Sequence, residues 1–256
     1  MKLKPPSLHE VGDRLRETEV WKSIFRPGSI FRKGYKDTSR DRALATMNNV
    51  LYHMHPVKVK RHGLKLTYTF CLGGLSFFLF ILLTITGIVL MFFYRPTATL
   101  GAAQAYTDMQ NIRRAVFFGD LVRNLHRWGA HIMVFSVTLH MARVFYTGAY
   151  KPPREFNWVV GVILLFLTLG LSFTGYLLPW DQLAIWAVTV GTSLAGYSPF
   201  IAKQANFLLL GGVVVGPETL IRWYVFHVLF LPFILVIFLS VHFWRIRKDG
   251  GISGPL

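Results

Sequence analysis

Four long apolar runs with few charges constrain this chain more than any other feature. Each run reaches the length of about 20 residues that an α-helix needs to cross a bilayer. Inside lipid, where water is absent, a helix satisfies its own backbone hydrogen bonds. The sequence therefore predicts an all-α fold built on a bundle of four transmembrane helices, at residues 66–93, 125–146, 158–178 and 221–243.

The composition agrees with a membrane protein. Hydrophobic residues make up 53% of the 256 residues and charged residues 16%, against about 25% charged residues in soluble domains. The single cysteine excludes an internal disulfide and a multi-cysteine zinc or iron–sulfur site. A net charge of +16 on a soluble domain would suggest nucleic acid. Here much of that charge lies near the N-terminus, so we predict no nucleic-acid partner.

The charge pattern predicts an orientation in the membrane. Residues 1–65 hold 15 Lys and Arg against 6 Asp and Glu, and we expect a cytoplasmic-side extension here, followed by a transmembrane domain over residues 66–256. Basic residues just before a first span stay on the cytoplasmic side. Four spans then place both termini on that side. The basic residues concerned are Lys58, Lys60, Arg61 and Lys65.

Two segments outside the apolar runs have helical character. Residues 20–32 mix Trp, Ile and Phe with basic residues. This mixture fits a helix lying on the membrane surface, and it fits a solvated or partner-bound tail equally well. Residues 184–215 are moderately apolar but interrupted by Gly, Ser and Pro. This favours short interfacial helices in the third loop over a fifth span.

Four histidines lie deep in the second and fourth runs. His126 and His140 are 14 residues apart, and His227 and His242 are 15 apart. An ionisable residue in a membrane helix is a functional candidate. For a single histidine we favour a hydrogen bond to a neighbouring helix, but two pairs at nearly matching spacing favour a functional role. Fourteen residues rise about 21 Å and turn about 40° short of four turns. Fifteen residues turn about 60° past four turns, and a bend at Pro232 would accommodate this difference.

The spacing indicates two metal centres, one near each membrane face. The second and fourth spans run in the same direction, so His126 pairs with His227 and His140 with His242. Imidazole suits iron, copper and zinc, but two ligands leave a zinc ion under-coordinated. A haem needs only two axial ligands because its porphyrin supplies four. A haem with two histidine ligands is coordinatively closed and carries electrons.

Glycines repeat the spacing of the histidines, and arginines lie one turn from two of the histidines. Glycine pairs 14 residues apart on the first and third runs would leave room for two porphyrin edges, although glycine is also common in packed membrane helices. Arg123 lies one turn before His126 and Arg143 one turn after His140. Each arginine fits a haem propionate, and each also fits an ordinary interfacial anchor. The glycine pairs are Gly73 with Gly87 and Gly161 with Gly175.

Seven motifs between residues 70 and 256 carry a family resemblance. The chain resembles the cytochrome b family of quinol–cytochrome c reductases, and most nearly its split, b6-type form. The 15-residue spacing on the fourth span is also similar to the b6 type. The motifs are FCLGG (70–74), YRPT (94–97), LHRWGA (125–130), LHMARVF (139–145), KPPREFNWVVG (151–161), TGYLLPWDQ (174–182) and HFWRIRKDGGISGPL (242–256).

The resemblance implies a role for particular residues. His126 and His227 would bind the haem on the outer side, and His140 and His242 the haem on the cytoplasmic side. Cys71 matches a cysteine that carries a further, covalent c-type haem, whereas a lone cysteine is otherwise an inert packing residue. Arg247 would lie near the propionate of that haem. The segment after the third span would form part of the quinol-oxidation region, lined by Trp180, Asp181, Trp186 and Val188.

The resemblance also implies a function and partners. The chain would be the diheme subunit of a b6f/bc-type quinol:cytochrome c oxidoreductase, moving electrons across the membrane in a Q cycle with proton translocation. We expect a subunit IV-like chain, a Rieske iron–sulfur protein, a c-type cytochrome, quinone and membrane lipid as partners, in a dimeric complex. The N-terminal extension is about 35 residues longer than the b6 pattern suggests. A diheme anchor of another quinone-linked dehydrogenase and a haem-free transporter or scaffold are the alternatives.

Overall fold

The chain is helical in the part that the structure describes. The computed structural model describes residues 8–25, 38–39, 41–43, 61–98, 103–197, 202–249 and 251, and this part contains no strand. The all-α prediction is confirmed. Residues 26–32 of the predicted surface segment, together with Lys58 and Lys60, lie outside the described residues.

Eleven α-helices have bounds within the described residues, and residues 39 and 41–43 are also helical. A 3-10 turn precedes α3, and a single π-helical turn joins α10 to α11. The helices are α1 (Leu8–Glu17), α2 (Glu19–Ile24), α3 (Leu66–Thr69), α4 (Leu72–Met91), α5 (Gln104–Arg114), α6 (Gly119–Tyr146), α7 (Glu155–Leu177), α8 (Gln182–Gly196), α9 (Ala202–Leu210), α10 (Pro217–Val225) and α11 (Leu231–Lys248), with the 3-10 turn at Arg61–Leu64 and the π turn at Phe226–Phe230.

Three helical segments of the described chain are long and apolar enough to cross a membrane. They are α4, α7 and the continuous segment Pro217–Lys248, which contains α10, the π turn and α11. The chain is therefore an integral membrane protein. Helix α6 has 28 residues and is also long enough, but its histidines and arginines lower its hydropathy. A fourth span at α6 and the sidedness of the termini stay predictions.

Exposed and buried side chains on α4 are arranged as a lipid environment requires. Large apolar side chains point outward, with Phe78 60% exposed and Ile85 58% exposed. Hydroxyl groups point inward, where Ser76 lies 2.9 Å from Ser136 of α6, oxygen to oxygen. Lipid solvates apolar side chains, so small and polar residues form the contacts between membrane helices.

The described residues belong to two compact units. Unit 1 consists of Met1–Cys71, Leu139–Leu164 and Ile237–Leu256, and unit 2 consists of Leu72–Thr138 and Leu165–Val236. Helices α6, α7 and α11 contribute residues to both units. The predicted division at residue 65 stays a prediction.

Unit 2 has an apolar core at the end of α4. This core includes Ile112 of α5, Trp180 and Leu220 of α10, each less than a tenth exposed. The hydroxyl of Tyr94, also in this core, donates a hydrogen bond of 2.6 Å to the carbonyl of Leu178. Burial raises the pKa of Tyr94, so the hydroxyl stays protonated and keeps this bond. The bond ties the loop after α4 to the segment that precedes α8.

An ion pair forms a second contact in unit 2. Arg95 donates to the carboxylate of Asp108 through its backbone N–H (3.0 Å), its Nε (3.0 Å) and its Nη2 (2.8 Å). Gln104 donates a further bond of 2.7 Å to the same carboxylate. Hydrogen bonding from the Arg95 guanidinium holds the pKa of Asp108 below its usual range. Helix α5 is thereby fastened to the loop that follows α4.

Helix α2 in unit 1 contacts the end of α11 through Ser23. Ser23 of α2 donates a hydrogen bond of 3.0 Å to the carbonyl of Pro153. Arg245 donates to the Ser23 hydroxyl at 2.9 Å and forms a buried ion pair of 3.2 Å with Asp249. Ser23 is only 4% exposed, so this residue of the predicted extension is buried, whereas Trp21 on the same helix is 38% exposed.

Candidate haem sites

The structure brings the four membrane histidines together as two pairs. In unit 2 the rings of His126 and His227 lie 6.2 Å apart, centre to centre, at an interplanar angle of 75°. In unit 1 the rings of His140 and His242 lie 6.4 Å apart at 79°. Among the described residues, no group of three or more His, Cys, Asp or Glu side chains is placed to hold a metal ion.

The ring separations fit a haem iron. A metal–imidazole bond is about 2 Å long, and Nε2 lies about 1.1 Å from the centre of its ring. Two imidazoles on opposite sides of one iron therefore place their ring centres about 6.2 Å apart. Both observed separations agree with this value. A pair of histidines in direct hydrogen-bond contact would lie closer together.

Two threonines orient the His126–His227 pair. Thr86 of α4 is hydrogen-bonded to Nδ1 of His126 at 2.9 Å, and Thr174 of α7 is hydrogen-bonded to Nδ1 of His227 at 3.0 Å. Nδ1 is thus engaged on both rings, and Nε2 is left as the atom that binds a metal. Neither threonine is among the site residues predicted from the sequence. Their signal was the dipeptide Thr-Gly at 86–87 and again at 174–175.

The His140–His242 pair has a different surrounding. Nδ1 of His242 is buried and has no side-chain hydrogen-bond partner among the described residues; its polar neighbour is the backbone carbonyl of Asn157. The side-chain Oδ1 of Asn157 is itself buried and without a partner among the described residues. Hydroxyl groups orient one pair of histidines and not the other.

Glycines make room for two of the imidazole rings, those of His126 and His227. A Cβ atom at Gly175 would lie 2.6 Å from Cε1 of His227, and one at Gly87 would lie 3.2 Å from Cε1 of His126. At Gly161 the contact with His242 would be looser, at 4.0 Å. Gly73 is half-buried on α4. The missing side chains thus admit the ligand rings, and the predicted room for porphyrin edges stays a prediction.

The π turn accounts for the 15-residue spacing on the last membrane segment. It spans Phe226–Phe230, contains His227, and closes with a hydrogen bond from the Leu231 N–H to the Phe226 carbonyl. A π turn takes up one residue more than an α turn. Pro232, which follows directly, has no N–H to continue the α-helical ladder. The π turn therefore accommodates the extra residue beside His227. The sequence predicted only a bend at Pro232 to explain the 15-residue spacing.

The two arginines differ in their surroundings. Nε of Arg123 is buried and has no hydrogen-bond partner among the described residues, as expected of a donor directed at a bound anion. Arg143 instead donates from Nε to the Tyr68 carbonyl at 3.2 Å, and its guanidinium lies 4.3 Å from the centre of the Tyr68 ring. Arg123 is thus the stronger candidate for a propionate partner.

The remaining predicted residues lie in several environments. Cys71 is exposed in unit 1, and Arg247 is 4% exposed there. In unit 2, Trp180 and Val188 belong to the buried apolar core. The other two predicted residues of the quinol-oxidation region lie beside them in sequence: Asp181 accepts a hydrogen bond of 2.9 Å from the backbone N–H of Ala184 at the start of α8, and Trp186 is 61% exposed.

Comparisons with known proteins identify the family. The family model described as Cytochrome b/b6/petB matches residues 57–250, and the chain belongs to the cytochrome b family. It is 46% identical over 187 residues to a cytochrome b6 of Heliomicrobium gestii, covering 73% of this chain and 85% of that one. It is 44% identical over 190 residues to the menaquinol:cytochrome c reductase cytochrome b subunit of Bacillus subtilis (strain 168), covering 74% and 83%.

A solved structure shows the same fold. A chain of a hyperthermophilic respiratory complex III superposes with a TM-score of 0.66 at 31% sequence identity. The match covers 86% of this chain and 55% of that one, so this chain spans about half the length of its structural relative.

Proposed function

We propose that this chain is the diheme b-type cytochrome subunit of a b6f/bc-type quinol:cytochrome c oxidoreductase, moving electrons across the membrane in a Q cycle with proton translocation. One observation supports the proposal most strongly. The two histidine pairs have ring centres 6.2 and 6.4 Å apart, a separation at which both rings of a pair would be able to bind the iron of one haem. Family membership and relatives that are cytochromes b6 and reductase subunits support the same function.

The haems supply one-electron transfer when bound, and the chain supplies their binding and orientation. His126 and His227 would hold the haem on the outer side, and His140 and His242 would hold the haem on the cytoplasmic side. Arg123 provides a buried donor for a propionate of the outer haem. Four spans and a cytoplasmic location of both termini complete this arrangement.

The segment after α7 forms part of the quinol-oxidation region. Trp180 and Val188 anchor this segment in the core of unit 2, while exposed Trp186 is available to a neighbouring molecule. Partners would complete the site, since the structural relative is part of a respiratory complex III and the match covers only 55% of its length. We propose a subunit IV-like chain, a Rieske protein and a c-type cytochrome as these partners, in a dimeric complex.

Cys71 carries a covalent c-type haem in this proposal. Its thiol is exposed, and adding the S–H bond across a haem vinyl group forms a thioether with no atom lost and no oxidant required. Arg247 would lie near a propionate of this haem. The FCLGG motif supports the proposal, and a packing role for Cys71 is the alternative.

Oxidant-induced haem reduction tests the function. The complex is purified through a tag on this chain, given quinol, and then given a pulse of oxidised c-type cytochrome while haem b absorbance is recorded. Bifurcation predicts that the oxidant increases haem b reduction, because the quinol's second electron is released only when the first leaves by the Rieske route. A diheme dehydrogenase anchor would show oxidation or no change. Matched samples without quinol provide the control.

A further inference from the structure

We infer that Thr86 and Thr174 are positioning residues for the outer haem, which hold the Nδ1–H groups of His126 and His227 and lower the reduction potential of that haem. The inference rests on the proposed function, because it requires these histidines to be axial ligands. Both threonines are almost fully buried, Thr86 at 6% and Thr174 at 3% exposed. Neither residue belongs to the set of ligands, glycines and arginines that the sequence indicates.

The hydrogen-bond direction at Thr86 follows from the bonds it makes. Its hydroxyl lies 2.7 Å from the carbonyl oxygen of Leu82 and 3.2 Å from that of Leu83. A hydroxyl has one proton, and a carbonyl oxygen only accepts. Thr86 therefore donates into its own helix, and its oxygen accepts from Nδ1–H of His126 at 2.9 Å.

Thr174 repeats this arrangement on α7. Its hydroxyl donates to the carbonyl of Leu171 at 3.1 Å and accepts from Nδ1–H of His227 at 3.0 Å. Each threonine also precedes a glycine against which the same ring lies, Gly87 or Gly175. The glycine admits the imidazole, and the preceding hydroxyl fixes its rotation and its tautomer.

An acceptor on Nδ1–H also changes the electronics of the ligand. Partial withdrawal of that proton makes the ring more basic and strengthens its donation through Nε2. Stronger donation favours ferric over ferrous iron and lowers the reduction potential. A hydroxyl that already donates to a carbonyl is a better acceptor, because chained hydrogen bonds polarise one another.

The lowering of the reduction potential by hydroxyl groups is expected only at the His126–His227 site. Among the residues that the structure describes, no hydroxyl is hydrogen-bonded to His140 or His242. The residues that precede the other two glycines of the pattern are Leu72 and Val160, which have no polar side-chain atom. Replacing the two threonines should therefore shift one haem potential and leave the other unchanged.

Redox titration of both haems in the purified complex tests the inference. Thr86→Val and Thr174→Val preserve shape and remove the hydroxyl acceptor, while the backbone carbonyls of Leu83 and Leu171 near the two rings are unchanged. Each should raise one of the two potentials by the equivalent of about a threefold change in the ratio of oxidised to reduced haem. The double variant should raise it by about tenfold, or about 59 mV for one electron. Thr192→Val is the matched control, since Thr192 is 3% exposed and donates to the Val188 carbonyl but contacts no histidine.

Serine variants separate the hydroxyl from packing. Thr86→Ser and Thr174→Ser should keep the parental potential. If the valine variants lose the haem while the serine variants retain it at that potential, the hydroxyl is what holds the ligand. Unchanged potentials in haem-loaded valine variants, equal shifts of both haems, or haem loss in the serine variants would overturn the inference. Failure of the proposed function is a separate result, namely a parent protein without the two histidine-ligated haems.

Discussion

A Cβ atom on Gly175 would lie 2.6 Å from Cε1 of His227, closer than such atoms approach in folded proteins. An alanine here must displace the imidazole or separate the two helices. We predict that Gly175→Ala weakens retention of the outer haem by about 10- to 100-fold, the range typical when the support of a metal ligand is disturbed. Haem content after detergent purification, measured by absorbance against protein, checks the prediction.

Gly170 offers the matched control on the same helix. A Cβ atom there would meet Cδ1 of Leu231 at 3.7 Å, an ordinary contact. Gly170→Ala should keep the full haem content, since alanine is also the better helix former. Equal haem content in the Gly170→Ala and Gly175→Ala proteins would contradict a close fit of His227 against Gly175.

Arg123 should raise the reduction potential of the outer haem. A positive charge near a haem stabilises the added electron, and its buried Nε has no partner among the described residues. We therefore predict that Arg123→Gln lowers the potential of one haem, as measured by redox titration. Arg127→Gln is the control, because Arg127 is exposed on the next turn of α6. A potential unchanged by the loss of Arg123 would argue for an ordinary interfacial anchor.

The Arg95–Asp108 pair should make stability depend on pH. Hydrogen bonding from Arg95 lowers the pKa of Asp108 in the folded state. The stabilisation is fully present above the unfolded-state pKa of this carboxyl and is lost as the pH falls through the lower folded-state pKa. Asp108→Asn should cost about 1 kcal/mol at neutral pH, since water screens exposed Arg95, and lower Tm by about 2–4 °C.

Thermal unfolding in detergent at several pH values tests this pair. The Tm difference between the parent and Asp108→Asn should narrow in acid, where the parental carboxyl is also protonated. Asp120→Asn is the control, because its pair with Arg113 is half-exposed at 3.5 Å and such pairs contribute little. A Tm difference that stays constant down to low pH would show that the ion pair is not its source.

Cys71→Ser tests covalent attachment on its own. A thioether survives denaturation, whereas haem held only by histidines dissociates. We predict that the parent chain shows haem-dependent peroxidase staining in a denaturing gel and that Cys71→Ser abolishes it. Both proteins should keep two extractable haems. Staining that persists in the serine variant, or is missing from the parent, would leave Cys71 as a packing residue.

Sequence periodicity predicted the features that repeat along helices. The spacing of His126 from His140 and of His227 from His242 indicated two pairs, because a helix returns to the same face at a fixed pitch. Apolar length predicted three spans that the structure supports. Charge composition could not predict the packing of Ser23 against Arg245, since this contact joins residues 222 positions apart.

The spacing of residues in the sequence could not predict features that depend on side-chain geometry. Arg143 has the same spacing from its histidine as Arg123, yet it packs on Tyr68. Thr86 and Thr174 look like ordinary membrane-helix threonines until their distances to the histidines are known. The π turn at His227 is a local change of hydrogen bonding, which a 15-residue spacing indicates only in retrospect.

Haem counting on three proteins tests most directly whether each histidine pair holds one haem. Pyridine haemochrome assays with acid–acetone extraction are performed on the parent, His140→Ala and His131→Ala, the last being an exposed histidine beside Trp128. We predict two extractable b haems in the parent and in His131→Ala, and one in His140→Ala, with the outer haem spectrum retained. Two haems in His140→Ala, or none in a folded parent protein, would contradict the assignment of one haem to each histidine pair.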